Sequence, residues 1–214
     1  MSGSAESVPV EASPRDRVGW MVAAGRRSDL LSACVEVLDS GEPPEDAEVA
    51  LVLGGRHAGH ELARTVPPRV DQDYWWPTWA LRVLVYTWPD EPEADEPEPG
   101  AGPASVALLE SGAVTALEHD HWRVREMAAT IVADRTLGAG ADACARLATD
   151  ETDRVRIVAV RALGEVGEHE HVAIVTQARD DPSDPVRRRA VRALHRLAER
   201  LDLDSPDLGP AGTS

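Results

Sequence analysis

The chain has 214 residues, with 22 basic side chains against 38 acidic ones and a net charge of −16. That excess argues against nonspecific adhesion to a phosphate backbone, and the length suits one domain with tails better than two full domains. Every basic residue is Arg, while Lys, Asn and Phe are absent; codon usage poor in A and T accounts for this, so Arg richness is not in itself a sign of guanidinium chemistry.

In chain order, residues 1–14 are small, polar and Pro-containing and predict a disordered tail. They show no basic start followed by an apolar run, and no stretch of the sequence approaches the roughly 20 apolar residues of a membrane span. A soluble, cytoplasmic protein without membrane contact is expected. Apolar helical patterns follow over "SDLLSACVEVLDSG", "RHAGHELARTV", "ASVALLESGAVTALEHD", "AGADACARLATD" and "HEHVAIVTQARDD". Ser28 before Asp29 and Asp184 before Pro185 read as N-caps, and Gly164 and Gly167 suit the close of a helix. Residues 89–103 carry six acids, no base and five prolines, which predicts an exposed acidic linker. Residues 203–214 read as a second disordered tail. Cys34 and Cys144 are far apart in helical patterns and form no CxxC pair, so buried free thiols are expected.

Between the apolar segments lies a second set of helices that repeats. "WRVREMAATIVAD" (122–134), "DRVRIVAVRALGE" (153–165) and "DPVRRRAVRALHR" (184–196) each begin 31 residues after the last. Val124, Val155 and Val186 are each followed by Arg, then by Ala128, Ala159 and Ala190, then by Val132, Leu163 and Leu194. Apolar steps of four residues form one helical stripe. With 17 extra residues allowed for the acidic linker, the frame runs back through Leu84, Leu53 and Val22, with Ala80, Val49 and Val18 one turn earlier. This predicts an all-α solenoid of about six helical hairpins over residues 15–202, because a helical pair cannot cover its own apolar faces and must stack on its neighbours.

"DPSDPVRRRAVRALHRLAE" and "DETDRVRIVAVRALGEVG" resemble HEAT repeats, in particular the HEAT-like repeats of phycobilisome lyases. The likeness is clearest over residues 120–200 and reaches residue 15 by period alone. Asp150 and Asp181 match the leading acid of the family pattern, Pro182 its Pro, and Arg161 and Arg192 a commonly basic position. His119 and Asp120 depart from it, standing where the pattern has Asp-Pro. The resemblance implies an armadillo-like α-α superhelix whose acid and base ladders join neighbouring repeats. It also implies a binding module without chemistry of its own, a scaffold or adaptor for another protein, expected to be monomeric and to need no cofactor.

Six of the eight aromatic residues fall within residues 71–90, and the repeat frame sorts them. Trp76 aligns with Val124 and Val155 and belongs to the core; Trp79 aligns with Met127 and Val158 and is expected half-buried. Trp75 and Tyr86 align with positions that face water, and Tyr74 with Trp122 at the turn edge. Tyr74, Trp75, Tyr86, Trp122, Arg123 and Arg125 therefore form the candidate partner surface, since exposed Tyr and Trp beside Arg are the composition of interface hot spots. The alternative is that Tyr74, Trp75 and Trp122 cover the break where the linker leaves the solenoid.

Arg188, Arg189, Arg192 and Arg196 on the last helix form either a polyanion-binding face, which the acidic linker shields, or the solvated cap that a terminal repeat requires. His57, His60 and Glu61, and Glu168 to His171, resemble the His-Glu pairs of the di-iron HEAT-repeat enzyme deoxyhypusine hydroxylase. They are two pairs out of phase with one another, and no metal site is expected from them. Catalytic motifs are absent, and "LGGRHAG" lacks the context of a phosphate loop. Besides the adaptor reading, nucleic-acid binding remains open by resemblance to alkylpurine DNA glycosylases built of HEAT-like repeats, though net charge disfavours it. A lyase or di-iron hydroxylase reading rests on repeat type alone.

Overall fold

The computed structural model describes residues 7–63, 74–89 and 106–203. Its contacts divide the chain into two compact units, Met1–Gly112 and Ala113–Ser214. The fold is all-α: eleven α-helices and four short 3-10 turns are found, with no strand among the described residues.

In the second unit, α7 (Trp122–Arg135), α9 (Asp153–Val166) and α11 (Asp184–Leu201) are the three clear repeats. α7 packs on α9 and α9 on α11, while α8 (Ala141–Leu147) and α10 (Val172–Gln177) back onto α9 and α11. The repeat frame accounts for this stacking. Ala128, Ala159 and Ala190 are fully buried, as are Val132 and Leu163, with Leu194 nearly so. Small side chains at the first position let neighbouring helices approach, and larger ones a turn later fill the space between them. Gly164 belongs to the same close contact: a Cβ there would come within 3.0 Å of Ala193 Cα. It lies inside α9 and Gly167 ends the helix, so of the two expected terminators only Gly167 acts as one.

The first unit holds α1 (Pro14–Ala23), α2 (Arg27–Ser40), α3 (Ala47–Gly54), α4 (Arg56–Leu62) and α5 (Trp75–Thr87); α6 (Val106–Thr115) crosses the division. Each of these matches a segment or a frame position expected from sequence. Their packing is less regular. α1 contacts α5 as well as α3, and α2 packs on α5. Val18, Val49, Ala80, Leu53 and Leu84 are buried as the frame requires, but Val22 is 40% exposed and Met21 takes its place in the core. The reason is local: Val18 and Met21 face inward three residues apart, and α1 ends at Ala23 before the left-handed Gly25, which turns Val22 outward.

Two caps also shift. Arg26, not Ser28, precedes α2, and Ser183, not Asp184, precedes α11, placing Pro185 in the first turn. Side-chain caps are found elsewhere: Ser13 Oγ accepts from Asp16 N–H at 3.2 Å, and Asp46 from Glu48 and Val49 N–H at 2.8 and 3.2 Å. Both cysteines are free and buried, and burial raises both thiols, that of Cys144 to about 12.

Packed residues begin before position 14, because Val8 is buried and Ala12 C=O accepts from Arg17 Nη1 at 2.6 Å. Residues 1–6, 90–103 and 204–214 of the expected tails and linker lie outside the described residues. No helix among the described residues is long and apolar enough to cross a membrane.

Candidate functional site

The Arg of each Val-Arg pair holds its own turn, and Arg125 and Arg156 also tie one repeat to the next. Arg156 Nη1 donates to the carbonyls of Asp150 and Glu151 at 2.8 and 3.3 Å, holding its own turn, while Nε and Nη2 grip Asp181 at 2.8 and 3.0 Å. Arg125 repeats the pattern, donating to the carbonyls of His119 and Asp120 and through Nε to Asp150 at 2.8 Å. Arg187 holds its own turn through the carbonyls of Asp181 and Pro182. The Arg156 and Asp181 side chains are only 12% and 9% exposed. Burial alone would raise the Asp181 carboxyl; the bonds from Arg156 and from Ser183 N–H outweigh it and hold the group below the usual carboxylate range.

Arg125 therefore leaves the candidate partner surface: its side chain is 12% exposed and its donors are engaged in the turn and the ladder. The departure from Asp-Pro at His119-Asp120 leaves the turn intact, since Asp120 supplies a carbonyl as Glu151 and Pro182 do. Histidine rings complete it. His119 Nδ1 accepts from His121 N–H at 2.9 Å, and His121 Nδ1 accepts from Arg123 N–H at 3.3 Å. Burial, with Arg125 nearby and, for His121, Arg123 and His119 as well, lowers the tendency of both rings to take a proton.

Trp122 remains at the surface edge of the second unit, half-buried, with guanidinium groups over its ring: Arg123 at 5.1 Å and Arg154 at 5.4 Å from the centroid. His121 stacks on it at 5.9 Å. Arg154, which the sequence reading left out, occupies the position of Arg123 one repeat later; the 31-residue frame carried that signal. Arg154 is also 2.9 Å from Glu126, with its own side chain 63% exposed.

In the first unit Tyr74, Trp75, Trp76 and Trp79 form one run of ring contacts. Tyr74 lies 4.6 Å from Trp75, Trp75 stacks on Trp79 at 5.8 Å, and Trp76 meets Trp79 edge-on at 5.0 Å. Trp76 is core as expected, but Trp79 is only 5% exposed, a correction to its half-buried assignment. Its ring is clamped between Trp75, Trp76 and Gly54, where a Cβ would come within 2.6 Å of the ring. Tyr74 and Trp75 are half-buried and Tyr86 is 44% exposed. Trp88, which the frame did not sort, is buried.

The arginines of α11 do not behave as one face. Arg196 pairs with Glu165 at 3.0 Å, and Arg161, near Arg189, pairs with Asp134. Arg188 and Arg192 are exposed, whereas Arg189 is half-buried with its Nε lacking an acceptor. The histidine pairs do not converge either. His57, His60, His169 and Glu170 are exposed, while His171 is buried, accepting Glu168 N–H on Nδ1 at 2.9 Å and donating from Nε2 to Asp142 at 3.1 Å. That is a capping arrangement for the 3-10 turn His169–His171. No group of three or more His, Cys, Asp or Glu placed to hold a metal occurs among the described residues.

Comparison with known proteins agrees with the stacking. The family model for HEAT repeats matches residues 110–195. No curated protein and no solved structure matches the chain. The region of the match takes in α7 to α10 and most of α11 with their Arg-held turns, and it identifies residues 110–195 as HEAT repeats.

Proposed function

We propose that the protein is a non-catalytic adaptor whose HEAT repeats bind another protein, with Trp122, Arg123 and Arg154 as the contact in the second unit and Tyr74, Trp75 and Tyr86 as a separate contact in the first. HEAT repeats are generally protein-interaction scaffolds. The observation that carries the reading is the Trp122 cluster: a half-buried indole under two guanidiniums, at a helix edge where the later repeats begin with Asp153 and Asp184. A large rigid ring with cationic neighbours suits the centre of an interface, because it offers apolar area at small entropic cost and polar donors at its rim. The ladder supports the same reading. It commits Arg125, Arg156 and Arg187 to structure and leaves Arg123 and Arg154 at the edge.

The test is capture of partners from the native cell by the wild-type chain and by Trp122→Ala. A partner retained by the wild type and lost by the variant, at an unchanged melting temperature, supports the adaptor. Equal capture by both contradicts the placement of the contact. Salt-sensitive binding of short duplex DNA that survives Trp122→Ala and falls with Arg188→Ala and Arg192→Ala would favour nucleic-acid binding instead.

A further inference from the structure

The irregular packing of the first unit opens a cleft of about 300 Å³. Its walls come from the segment before α1, from α1, from the α3–α4 junction and from α5, and they carry Arg17, Arg56, Arg82, His57 and Trp79, with Glu11 the one acid among the described lining residues. Three arginines around one cavity are unexpected in a chain of net charge −16. The volume lies at the small end of the range for small-molecule sites, about 300 to 1,000 Å³.

The arginines do different work. Arg17 is 6% exposed and builds the wall: Nε donates to Val52 C=O at 2.9 Å, Nη1 to Ala12 C=O at 2.6 Å and Nη2 to Leu53 C=O at 3.3 Å. Carbonyl dipoles accept those bonds, and no carboxylate among the described residues pairs with the charge. Burial lowers its affinity for the proton, and the facing Arg82 lowers it further. Arg82 is half-buried and has no hydrogen bond or ion pair among the described residues. Its five N–H donors have no partner among the described residues and can serve a ligand. Arg56 is exposed and makes one loose contact, 3.4 Å, with Glu11.

The floor is made by Gly54 and Gly55. Gly55 has φ +58°, and a Cβ there would come within 2.8 Å of Val10 C=O and 2.9 Å of Arg17 Nη1; Gly54 is pressed against Trp79. Any other residue at either position would push the wall inward or displace Arg17. "LGGRHAG", which carries no known phosphate-loop pattern, thus forms a cavity floor beside three guanidiniums.

We propose that this cleft binds a phosphoryl dianion, with Arg82 and Arg56 as its direct donors and Arg17 as the fixed charge behind them. The guanidinium fork matches the oxygen spacing of a phosphate, and a dianion offsets the repulsion between Arg17 and Arg82 better than a single carboxylate would. This site is independent of the Trp122 cluster.

The test is isothermal titration of the full chain with inorganic phosphate and with glycerol 3-phosphate, against sodium chloride at matched ionic strength. Saturable binding of one phosphoryl ligand is expected, weakened about tenfold or more in Arg82→Gln and unchanged in Arg188→Gln on α11. Arg82→Lys keeps the charge and loses the fork, so it should fall between wild type and Arg82→Gln, and it serves as the reporter if the glutamine variant does not fold. Tighter binding of glycerol 3-phosphate assigns the site to a phosphomonoester, and tighter binding of phosphate assigns it to the free ion. Absence of saturable binding overturns the proposal, as does equal weakening by Arg188→Gln.

Discussion

The two units solve the same problem, the covering of apolar helix faces, with different polar chemistry. In residues 113–214 one device recurs: an Arg at the start of each repeat helix closes its own turn and, in α7 and α9, grips the leading Asp of the next repeat, with both side chains nearly buried. In residues 1–112 no such series is found among the described residues. Arg26 collects Asp29, Asp46 and Glu48 in a hub whose side chains are 30% to 44% exposed, and Arg17 bonds only backbone carbonyls. Repetition makes the second unit regular and leaves its functional signal to departures from the pattern, such as Trp122. Irregularity in the first unit leaves a cleft in which Arg82 has no partner among the described residues.

That contrast can be broken by mutation, and the largest effect is expected at the ladder. Arg156→Ala leaves the Asp181 carboxylate with only its Ser183 N–H bond and strips the guanidinium from two turn carbonyls, and should cost about 3 to 5 kcal/mol in a denaturant titration. Leu163→Ala, at a fully buried frame position, should cost about 2 to 5 kcal/mol. Ala159→Leu forces a larger side chain between α9 and its neighbours and should cost about 1 to 3 kcal/mol; an unchanged melting temperature would show that close helix approach does not depend on it. Val22→Ala is the matched control in the first unit. With Val22 40% exposed, less than about 0.5 kcal/mol is expected.

The His119-Asp120-His121 turn adds a pH dependence peculiar to the second unit. Both rings are held with folded pKa values below the ordinary 6.5. The unfolded chain therefore binds more protons, so their contribution is complete above about pH 6.5 and is lost as pH falls through the lower folded values. Asp181, also depressed, acts further down: its contribution is full above the ordinary 3.8 and disappears as pH falls through its folded value. A melting temperature that falls as the pH is lowered below about 6.5, and less so in His119→Gln with His121→Gln, is the expected record.

The helices of both units were legible because apolar spacing reports burial directly, and eleven helices stand where eleven segments or frame positions were expected. Individual side chains followed less closely, for reasons that lie in three dimensions. Val22 failed because helix length, not period, decides the last turn. Trp79 is more buried than its siblings imply because Gly54, a tertiary neighbour 25 residues earlier, makes room for its ring. Arg125 and Arg123 are two residues apart and look alike in sequence, yet one lines a turn and the other lies over a half-buried indole. The cleft was illegible, since Arg17, Arg56 and Arg82 belong to three different helices and meet only in the tertiary fold.

The most direct test of this division of labour is a pair of double-mutant cycles, Arg156 with Asp181 in the second unit and Arg26 with Asp46 in the first, each residue replaced by Ala and each stability measured by denaturant titration. The buried, doubly bonded pair should show a coupling of about 2 kcal/mol or more, and the half-exposed pair less than about 1 kcal/mol. Equal couplings, or a larger one at Arg26, would contradict the ladder as the element that holds successive repeats together.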